Sequence, residues 1–298
     1  MNDVTPKLAF VGLGVMGGAM AGHLLRHFGA INVYNRTHDK TLAWCAQNPK
    51  AQGFDDAAEL AGASDVVFLC VGNDEDVRTT VQKMLPNLKV GSVIVDHTTA
   101  SPKLAQEMSA LCASHGVQFL DCPVSGGQVG AEKGVLTIMV GGDEVTFQRI
   151  QPFLSAFSKH QQYFGSSGKG QAVKMVNQTL IVSLLQGLAE GLHLAEHLEL
   201  DVKNLVETLS QGAAGSWQLQ NRGVTMSERR FDFGFAIDLM IKDLGIVTDF
   251  AANAGLNLPQ TTQIKQIYEQ LSAAGFNRED TSALIRQFDD AQSLSTKS

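Results

Sequence analysis

Short apolar runs alternate with helical patterns over the first half of the chain. Runs of this kind, bounded by glycine, asparagine or aspartate, are typical of buried strands in a parallel sheet. Strands are predicted at 7–12, 31–34, 65–71, 92–96, 117–121 and 135–140. A strand, a glycine-rich turn, a helix and a second strand follow one another within the opening segment. This order predicts an α/β nucleotide-binding domain over about 1–165.

Strand patterns fade after about residue 170, and helical periodicity takes over. Helices are predicted at 170–198, 201–211, 235–254, 259–274 and 279–292. No polar linker separates the two kinds of pattern. The chain is therefore expected to continue into an all-helical domain over 166–298, with a long helix joining the two domains.

The glycine-rich turn after the first strand has the form G-x-G-x-x-G, running from Gly12 to Gly17. Gly12 allows a tight turn, Gly14 lets the backbone approach a pyrophosphate, and Gly17 lets the helix pack closely on the strand. The helix N-terminus adds N–H groups and a partial positive charge. The predicted cofactor-binding residues are therefore Gly12, Leu13, Gly14, Val15, Met16 and Gly17. A turn whose glycines serve only geometry is the alternative.

The end of the second strand bears on the choice of cofactor. NAD-binding chains commonly carry an acidic residue there for the ribose 2′-hydroxyl, but this chain has Asn35, Arg36 and Thr37. Arg36 can pair with a 2′-phosphate, and its two neighbours can donate hydrogen bonds to it. Since no acid stands in for the missing one, NADP(H) is predicted over NAD(H). The alternative is a simply solvated Arg36.

Ligands of open α/β sheets bind beyond the carboxyl ends of the strands. This rule selects the turn of Val71, Gly72 and Asn73, then Thr99, and the turn after Asp121. In the last of these, Ser125, Gly126 and Gly127 offer N–H groups and a hydroxyl that suit a substrate carboxylate. Glycines that only shape the loop are an equal alternative.

A second glycine-rich stretch runs from Gly165 into the long helix. Lys174 and Asn177 follow it, three residues apart and so on one helix face. They would place an ammonium and an amide beside the bend. Trp217 sits in a small-residue stretch interpreted as a turn, either closing over the substrate or packing in the core.

Bulk properties narrow the possible partners. A formal net charge of −7 gives no reason to expect nucleic acid or an anionic membrane. No apolar window is long enough for a transmembrane helix, and the start lacks a signal-peptide pattern, so a cytoplasmic location is expected. The four cysteines are scattered, and no metal site is predicted. The H-x-x-E-H match at His193–His197 is interpreted as surface or packing histidines.

These stretches, in this order, resemble the β-hydroxyacid dehydrogenase family over essentially the whole chain. The matching motifs are Gly12–Ala21, Asp121–Gly134, Gly168–Asn177, and Lys242–Gly245 with Asp249. The resemblance implies an N-terminal Rossmann domain, a C-terminal helical domain, and dimers or tetramers formed through the helical domains. It implies oxidation of short β-hydroxy acids, or reduction of their semialdehydes, with a nicotinamide cofactor.

The same resemblance suggests roles for individual residues. Lys174 would be the catalytic lysine, with Asn177 placing the substrate. Ser125, Gly126 and Gly127 would hold its carboxylate, while Lys242, Phe235, Thr99 and the 71–73 turn would line the cofactor and active site. The stretch at 35–37 is similar to NADP-preferring reductases of glyoxylate and succinic semialdehyde, and it departs from 3-hydroxyisobutyrate enzymes. The alternative function is a non-catalytic NADP-binding sensor or partner-binding module.

Overall fold

The computed structural model describes residues 6–289. The described residues up to Lys174 form one compact unit, and those from Met175 onward form a second. The first unit contains a six-stranded parallel sheet in the order β3-β2-β1-β4-β5-β6. Its strands are β1 (Leu8–Val11), β2 (Ile31–Tyr34), β3 (Ala51–Gly53), β4 (Val66–Leu69), β5 (Val93–Asp96) and β6 (Gln118–Asp121). The strand order reverses between β1 and β4, where the crevice of such a sheet lies.

Helices connect these strands and cover both faces of the sheet. They are α1 (Val15–Phe28), α2 (His38–Gln47), α3 (Ala57–Gly62), α4 (Asp74–Met84) and α5 (Pro102–Ala113). Alternate strand residues point to opposite faces, so Phe10 and Phe68 pack into one core while Val11 and Leu69 pack into the other. Burial on both faces explains why these strands appear in the sequence as unbroken apolar runs.

A second, three-stranded sheet completes the first unit. It contains β7 (Val124–Ser125), β8 (Leu136–Val140) and β9 (Ser158–Tyr163), with α6 (Gly127–Lys133) and α7 (Glu144–Leu154) between them. Only β8 was predicted from its apolar run. The β9 sequence SKHQQY has no apolar period, and β7 contributes just two residues. Both strands are therefore set by pairing with β8 and not by their own composition.

The second unit is helical, as predicted. The long helix α8 (Lys169–His197) starts in the first unit and continues into the second. The others are α9 (Val202–Leu209), α10 (Trp217–Ser227), α11 (Ile237–Ala254) and α12 (Pro259–Leu271). A π-helical turn at Ser272–Phe276 and a 3₁₀ segment at Thr281–Phe288 follow.

Two predictions for this region were wrong. The stretch after Ala213, interpreted as a turn, contains α10, because the Ser216 hydroxyl caps it by accepting a hydrogen bond from the Leu219 N–H. The last predicted helix, 279–292, is a 3₁₀ segment in its described part, while 290–292 lie outside the described residues. The Asp280 carboxylate starts this segment by accepting from the Ser282 N–H and hydroxyl.

Candidate active site

The glycine-rich turn between β1 and α1 has the geometry that its spacing predicts. Gly12 has φ +95°, and a Cβ there would lie 2.1 Å from the Cys70 carbonyl oxygen. A Cβ at Gly17 would lie 1.9 Å from the Gly12 carbonyl oxygen. Gly14 is exposed, and a Cβ there would meet no atom within 4 Å. The first and third glycines are required by close packing, whereas the second leaves open space in which a ligand can approach the backbone.

Asn35 shapes this turn. Its side-chain carbonyl accepts a hydrogen bond from the Leu13 N–H at 3.0 Å, and its amide donates to the Thr37 carbonyl at 3.1 Å. The side chain thus ties the end of β2 to the loop before α1. In the first turn of α1, Val15 is exposed and Met16 is half-buried.

Arg36 has an acidic neighbour that the sequence did not reveal. Its guanidinium donates to an oxygen of Asp76 at 2.7 Å, although the arginine side chain is 83% exposed. Asp76 lies on α4, forty residues along the chain. The expectation that no acid stands in for the missing one was therefore wrong. An acid from α4, and not from β2, lies beside the predicted 2′-phosphate position.

The turns after β4 and β5 are joined by hydrogen bonds. The Val71 N–H donates to the Thr98 hydroxyl at 3.0 Å. The Asn73 side chain caps α4 by accepting from the Asp76 N–H at 2.9 Å. A Cβ at Gly72, between them, would lie 2.4 Å from an Asp76 carboxylate oxygen, so a larger residue there would displace that side chain. These predicted cofactor residues therefore form a connected rim at the carboxyl edge of the sheet.

Gln171, on the first turn of α8, fixes the position of Thr99. Its amide nitrogen donates to the Thr98 carbonyl at 2.7 Å, and its oxygen accepts from the Ala100 N–H at 3.1 Å. The glutamine side chain is fully buried. The two bonds flank Thr99 and hold the β5 turn against the start of the helix that carries Lys174.

Asp121, the last residue of β6, anchors the start of the same helix. Its two carboxylate oxygens accept from the Gly168 N–H at 2.8 Å and from the Gln171 N–H at 3.0 Å. Burial raises the pKa of this carboxyl to about 6, against the opposing effect of its backbone hydrogen bonds. A Cβ at Gly170 would lie 2.5 Å from the Asp121 carbonyl oxygen. A carboxylate and a glycine thus set where α8 begins.

Lys174 lies one turn further along α8 and is 7% exposed. Its Nζ donates to the Val124 carbonyl oxygen at 2.9 Å, across fifty residues of sequence. Val124 directly precedes Ser125 and the two glycines that open α6. Gly126 and Gly127 both have positive φ, at 133° and 62°, and a Cβ on Gly127 would meet no atom within 4 Å. The structure therefore brings the lysine ammonium beside the turn predicted to bind a carboxylate.

In the second unit, a row of polar side chains runs from Asn177 to Lys242. The Asn177 amide donates to the Gln178 side-chain oxygen at 2.8 Å, and the Gln178 amide donates to Asp243 at 2.6 Å. The Lys242 Nζ lies 3.0 Å from the other Asp243 oxygen. Gln178 and Asp243 are buried. This row connects a predicted substrate residue with a predicted cofactor residue.

The remaining predicted residues of the second unit have other neighbours. Trp217 is 50% exposed at the start of α10, with the Arg222 guanidinium 5.2 Å from its ring centre. Phe235 is half-buried just before α11 and packs against the unit's core. In the H-x-x-E-H stretch, Glu196 pairs with Arg229 at 2.7 Å.

Three residues at this site escaped prediction from the sequence. Asp76 could not be found, because its pairing with Arg36 joins the segment after β2 to α4, forty residues along the chain. Gln171 and Gln178 lie seven residues apart on α8 and so on one face of the helix. A buried side-chain amide has to be hydrogen-bonded, and this requirement could have identified both glutamines as structural contacts.

Two family models match the two halves of this chain. Residues 7–165 match the family model for the NAD binding domain of 6-phosphogluconate dehydrogenase. Residues 168–288 match the model for the NAD-binding region of NADP-dependent 3-hydroxyisobutyrate dehydrogenase.

Individual proteins match over almost their full length. A probable 3-hydroxyisobutyrate dehydrogenase-like protein of Arabidopsis thaliana is 38% identical over 99% of this chain and 90% of its own. The 2-hydroxy-3-oxopropionate reductase of Escherichia coli is 32% identical over 94% and 96%. The structure of Mycobacterium tuberculosis 3-hydroxyisobutyrate dehydrogenase with L-serine matches with a TM-score of 0.87 and 30% identity, covering 96% of this chain and 99% of that one.

The Rossmann-type sheet, the glycine-rich turn and these matches define an oxidoreductase that uses a nicotinamide cofactor. The chain belongs to the β-hydroxyacid dehydrogenase family, whose members act on hydroxy acids or the corresponding semialdehydes. None of the helices in residues 6–289 combines the length and apolar character needed to cross a bilayer.

Proposed function

We propose that this protein is an NADP-dependent oxidoreductase that interconverts a short β-hydroxy acid and its semialdehyde, with Lys174 as the general acid and base. The observation that carries the proposal is the 2.9 Å contact between the Lys174 Nζ and the Val124 carbonyl. This contact places the only buried lysine among residues 6–289 beside the Ser125–Gly127 turn. If that turn held the carboxylate of a substrate, the reacting oxygen of the substrate would lie within reach of the Lys174 ammonium, which can donate a proton.

The residues of the glycine-rich turn fit a dinucleotide. Gly14 is exposed with empty space beyond its α-carbon, and it is the N-cap of α1, where free N–H groups favour a phosphate. Gly12, Leu13, Val15, Met16 and Gly17 would complete this cradle, with the 71–73 turn, Thr99 and Lys242 as further contacts. When bound, the nicotinamide supplies hydride transfer, which is chemistry of the cofactor itself.

The protein's own residues would manage the proton and the position of the substrate. During reduction, negative charge grows on the carbonyl oxygen, and the Lys174 ammonium would stabilise this charge and donate a proton to it. In the opposite direction, the neutral amine would accept the hydroxyl proton. Ser125, Gly126 and Gly127 would hold the substrate carboxylate and so fix which carbon reacts. Asn177, one turn along α8, would donate to the reacting oxygen, and Phe235 and Trp217 would limit the side chain of the substrate.

The proposed preference for NADP(H) depends on Arg36. Its guanidinium is exposed and lies at the end of β2, where it could pair with a 2′-phosphate in two parallel hydrogen bonds. Asn35 and Thr37 would support it, although the Asn35 side chain is already engaged within the loop. The acid beside Arg36 would have to give up its ion pair when the phosphate binds. A change at Asp76 should therefore change the preference for NADP(H) over NAD(H), and this makes the preference testable.

We also propose a homodimer or homotetramer, as the family resemblance implies. A cytoplasmic location remains a prediction from composition. The alternative function is a non-catalytic NADP-binding module, and the following experiment distinguishes this module from an enzyme.

The experiment is a panel of small acids and aldehydes assayed with both NADP(H) and NAD(H). Glyoxylate, succinic semialdehyde and tartronate semialdehyde test reduction, and 3-hydroxyisobutyrate, 3-hydroxypropionate and serine test oxidation. We expect turnover of at least one pair with a higher kcat/KM for the phosphorylated cofactor. Cofactor binding without turnover of any compound would favour the non-catalytic module, and equal kcat/KM values would refute the cofactor preference.

A further inference from the structure

A histidine ring is buried in the core of the first unit. His97 directly follows β5 and is 2% exposed. It lies two residues beyond Val95, so its side chain points to the same face of the sheet as Val95 and Phe68. The imidazole stacks on the Phe68 ring with 6.0 Å between the ring centres, and it meets the Phe157 ring at nearly a right angle at 5.4 Å. The ring therefore packs between β4 and the residue that precedes β9.

The hydrogen bond of this ring defines its tautomer. The Nδ1 atom lies 2.7 Å from the Cys122 carbonyl oxygen. Because a carbonyl oxygen can only accept, Nδ1 carries the proton and donates it to this bond. Burial lowers the pKa of His97 to about 4, so the ring is neutral at pH 7 and its Nε2 carries no proton. The Nε2 atom is buried and has no hydrogen-bond partner among residues 6–289.

Histidine is less favourable than phenylalanine for packing at this position. A buried acceptor without a partner loses its hydration, and no hydrogen bond replaces it. A phenylalanine ring would fill a similar space beside the same aromatic neighbours and would avoid this penalty. Phenylalanine cannot supply the Nδ1–H donor to Cys122. The feature that distinguishes His97 from an apolar ring is therefore this one hydrogen bond.

Cys122 begins the segment that leads from the first sheet to the second. Its N–H donates to the Asp96 carbonyl at 2.7 Å, while its carbonyl accepts from His97. Pro123 follows and has no N–H to donate, and Val124 then enters the second sheet as the first residue of β7. The two bonds at Cys122 therefore set where the chain leaves the first sheet.

The carbonyl that contacts the Lys174 Nζ lies two residues beyond Cys122. It belongs to Val124, and the Ser125–Gly127 turn follows directly. A shift of the Cys122 carbonyl would be passed along this short segment, because the intervening proline has a fixed φ. The His97 donor therefore acts on the stretch of backbone that holds the proposed proton donor.

We propose that His97 is a positioning residue, whose Nδ1–H bond to Cys122 holds the Val124 carbonyl and the Ser125–Gly127 turn in register with the Lys174 ammonium. This inference rests on the proposed function and adds a residue that acts through the backbone. A displacement of about 1 Å at a reacting group can lower a rate roughly 100-fold. Loss of this hydrogen bond should therefore slow hydride transfer.

Two substitutions separate the hydrogen bond from the packing of the ring. His97→Phe keeps an aromatic ring but has no donor. His97→Asn loses the ring but carries an amide nitrogen on the same γ-carbon that carries Nδ1 in histidine. The single-turnover rate with NADPH and an aldehyde of the panel should fall about 10- to 100-fold in His97→Phe, and it should stay within about threefold of wild type in His97→Asn. A residue that only fills the core would give the opposite order, because phenylalanine preserves the packing better.

The tautomer can be measured on the wild-type protein, independently of any variant. In ¹⁵N NMR spectra of histidine-labelled protein, we expect one ring with a slowly exchanging proton on Nδ1 and no proton on Nε2. Because burial keeps this ring neutral, its signals should not change between pH 5 and pH 8. A proton on the Nε2 of the buried ring would overturn the inference.

The rate measurements have equally definite outcomes. A rate for His97→Phe within threefold of wild type, or equal losses in the two variants, would overturn the positioning role. Failure of either variant to fold, checked by urea denaturation, would assign His97 to folding and would overturn it too. Lys174→Met, measured alongside, separates this inference from the proposed function. If wild type turns over no aldehyde, or if Lys174→Met keeps its rate, the proposed function has failed, whereas a loss in Lys174→Met without a loss in His97→Phe refutes this inference alone.

Discussion

The contact between Arg36 and Asp76 allows a specific prediction about the choice of cofactor. Replacing Asp76 with Asn keeps the size of the side chain but removes its negative charge. Arg36 would then be available to a 2′-phosphate without breaking an ion pair, and the phosphate would no longer face a carboxylate. We expect the variant to bind NADPH more tightly and to bind NADH with little change.

The size of the effect follows from two contributions. The ion pair is solvent-exposed on the arginine side, so its loss on cofactor binding costs at most about 1 kcal/mol. If the bound 2′-phosphate, with nearly two charges, lay about 6 Å from the carboxylate, repulsion would add roughly 1 kcal/mol in a water-like dielectric. Together these predict a gain of about 1–2 kcal/mol, or a roughly 5- to 30-fold lower Kd for NADPH.

The assay is a fluorescence titration of each cofactor at low ionic strength, repeated at higher salt, where the gain should shrink. Asp55→Asn is the matched control, because it removes the same charge from an exposed acid that pairs with His38 and not with Arg36. If Asp76→Asn instead weakens NADH and leaves NADPH unchanged, then Asp76 accepts the ribose 2′-hydroxyl. That result would refute the assignment of Arg36 to a 2′-phosphate.

Two further predictions concern the start of α8. Gln171→Leu should lower the free energy of unfolding by about 2–4 kcal/mol and raise the Kd for NADPH, because two buried backbone groups beside Thr99 lose their partners. Urea denaturation checks this, and a loss below about 0.5 kcal/mol would contradict it. The pKa of Asp121 is raised to about 6, so its contribution to stability is complete below pH 4 and is lost as the pH rises through 6. The stability advantage of wild type over Asp121→Asn should therefore shrink by up to about 3 kcal/mol between pH 4 and 7, and a constant difference would contradict the raised pKa.

Much of the first unit could be predicted from the sequence because its strands are buried on both faces. The runs at β1, β4 and β5 are apolar without interruption, and the glycine spacing after β1 has one common structural meaning. The strands β7 and β9 could not be predicted, since their residues carry no strand pattern and depend on β8. A strand can therefore be predicted from the sequence where it is buried on both faces. A strand that forms only by pairing with a neighbouring strand cannot.

The residues of the candidate active site also divide into those that the sequence predicts and those that depend on tertiary contacts. Lys174 and the turn at Ser125 were selected separately, and the structure adds the contact that brings them together. Asp76 was missed because an ion pair between distant elements leaves no pattern in the chain. The start of α10 was missed because the small residues before Trp217 resemble a turn, whereas a single serine cap is enough to begin a helix there.

The role of Lys174 is the central claim, and the single-turnover rate of hydride transfer tests it most directly. Absorbance at the NADPH band should be followed after mixing the enzyme–NADPH complex with an aldehyde substrate, for Lys174→Met and for the control Lys169→Met. Lys169 is on the same helix but exposed. We predict a loss of at least about 100-fold for Lys174→Met, with the NADPH Kd within about threefold of wild type and the control unchanged. A rate for Lys174→Met within tenfold of wild type would contradict the account.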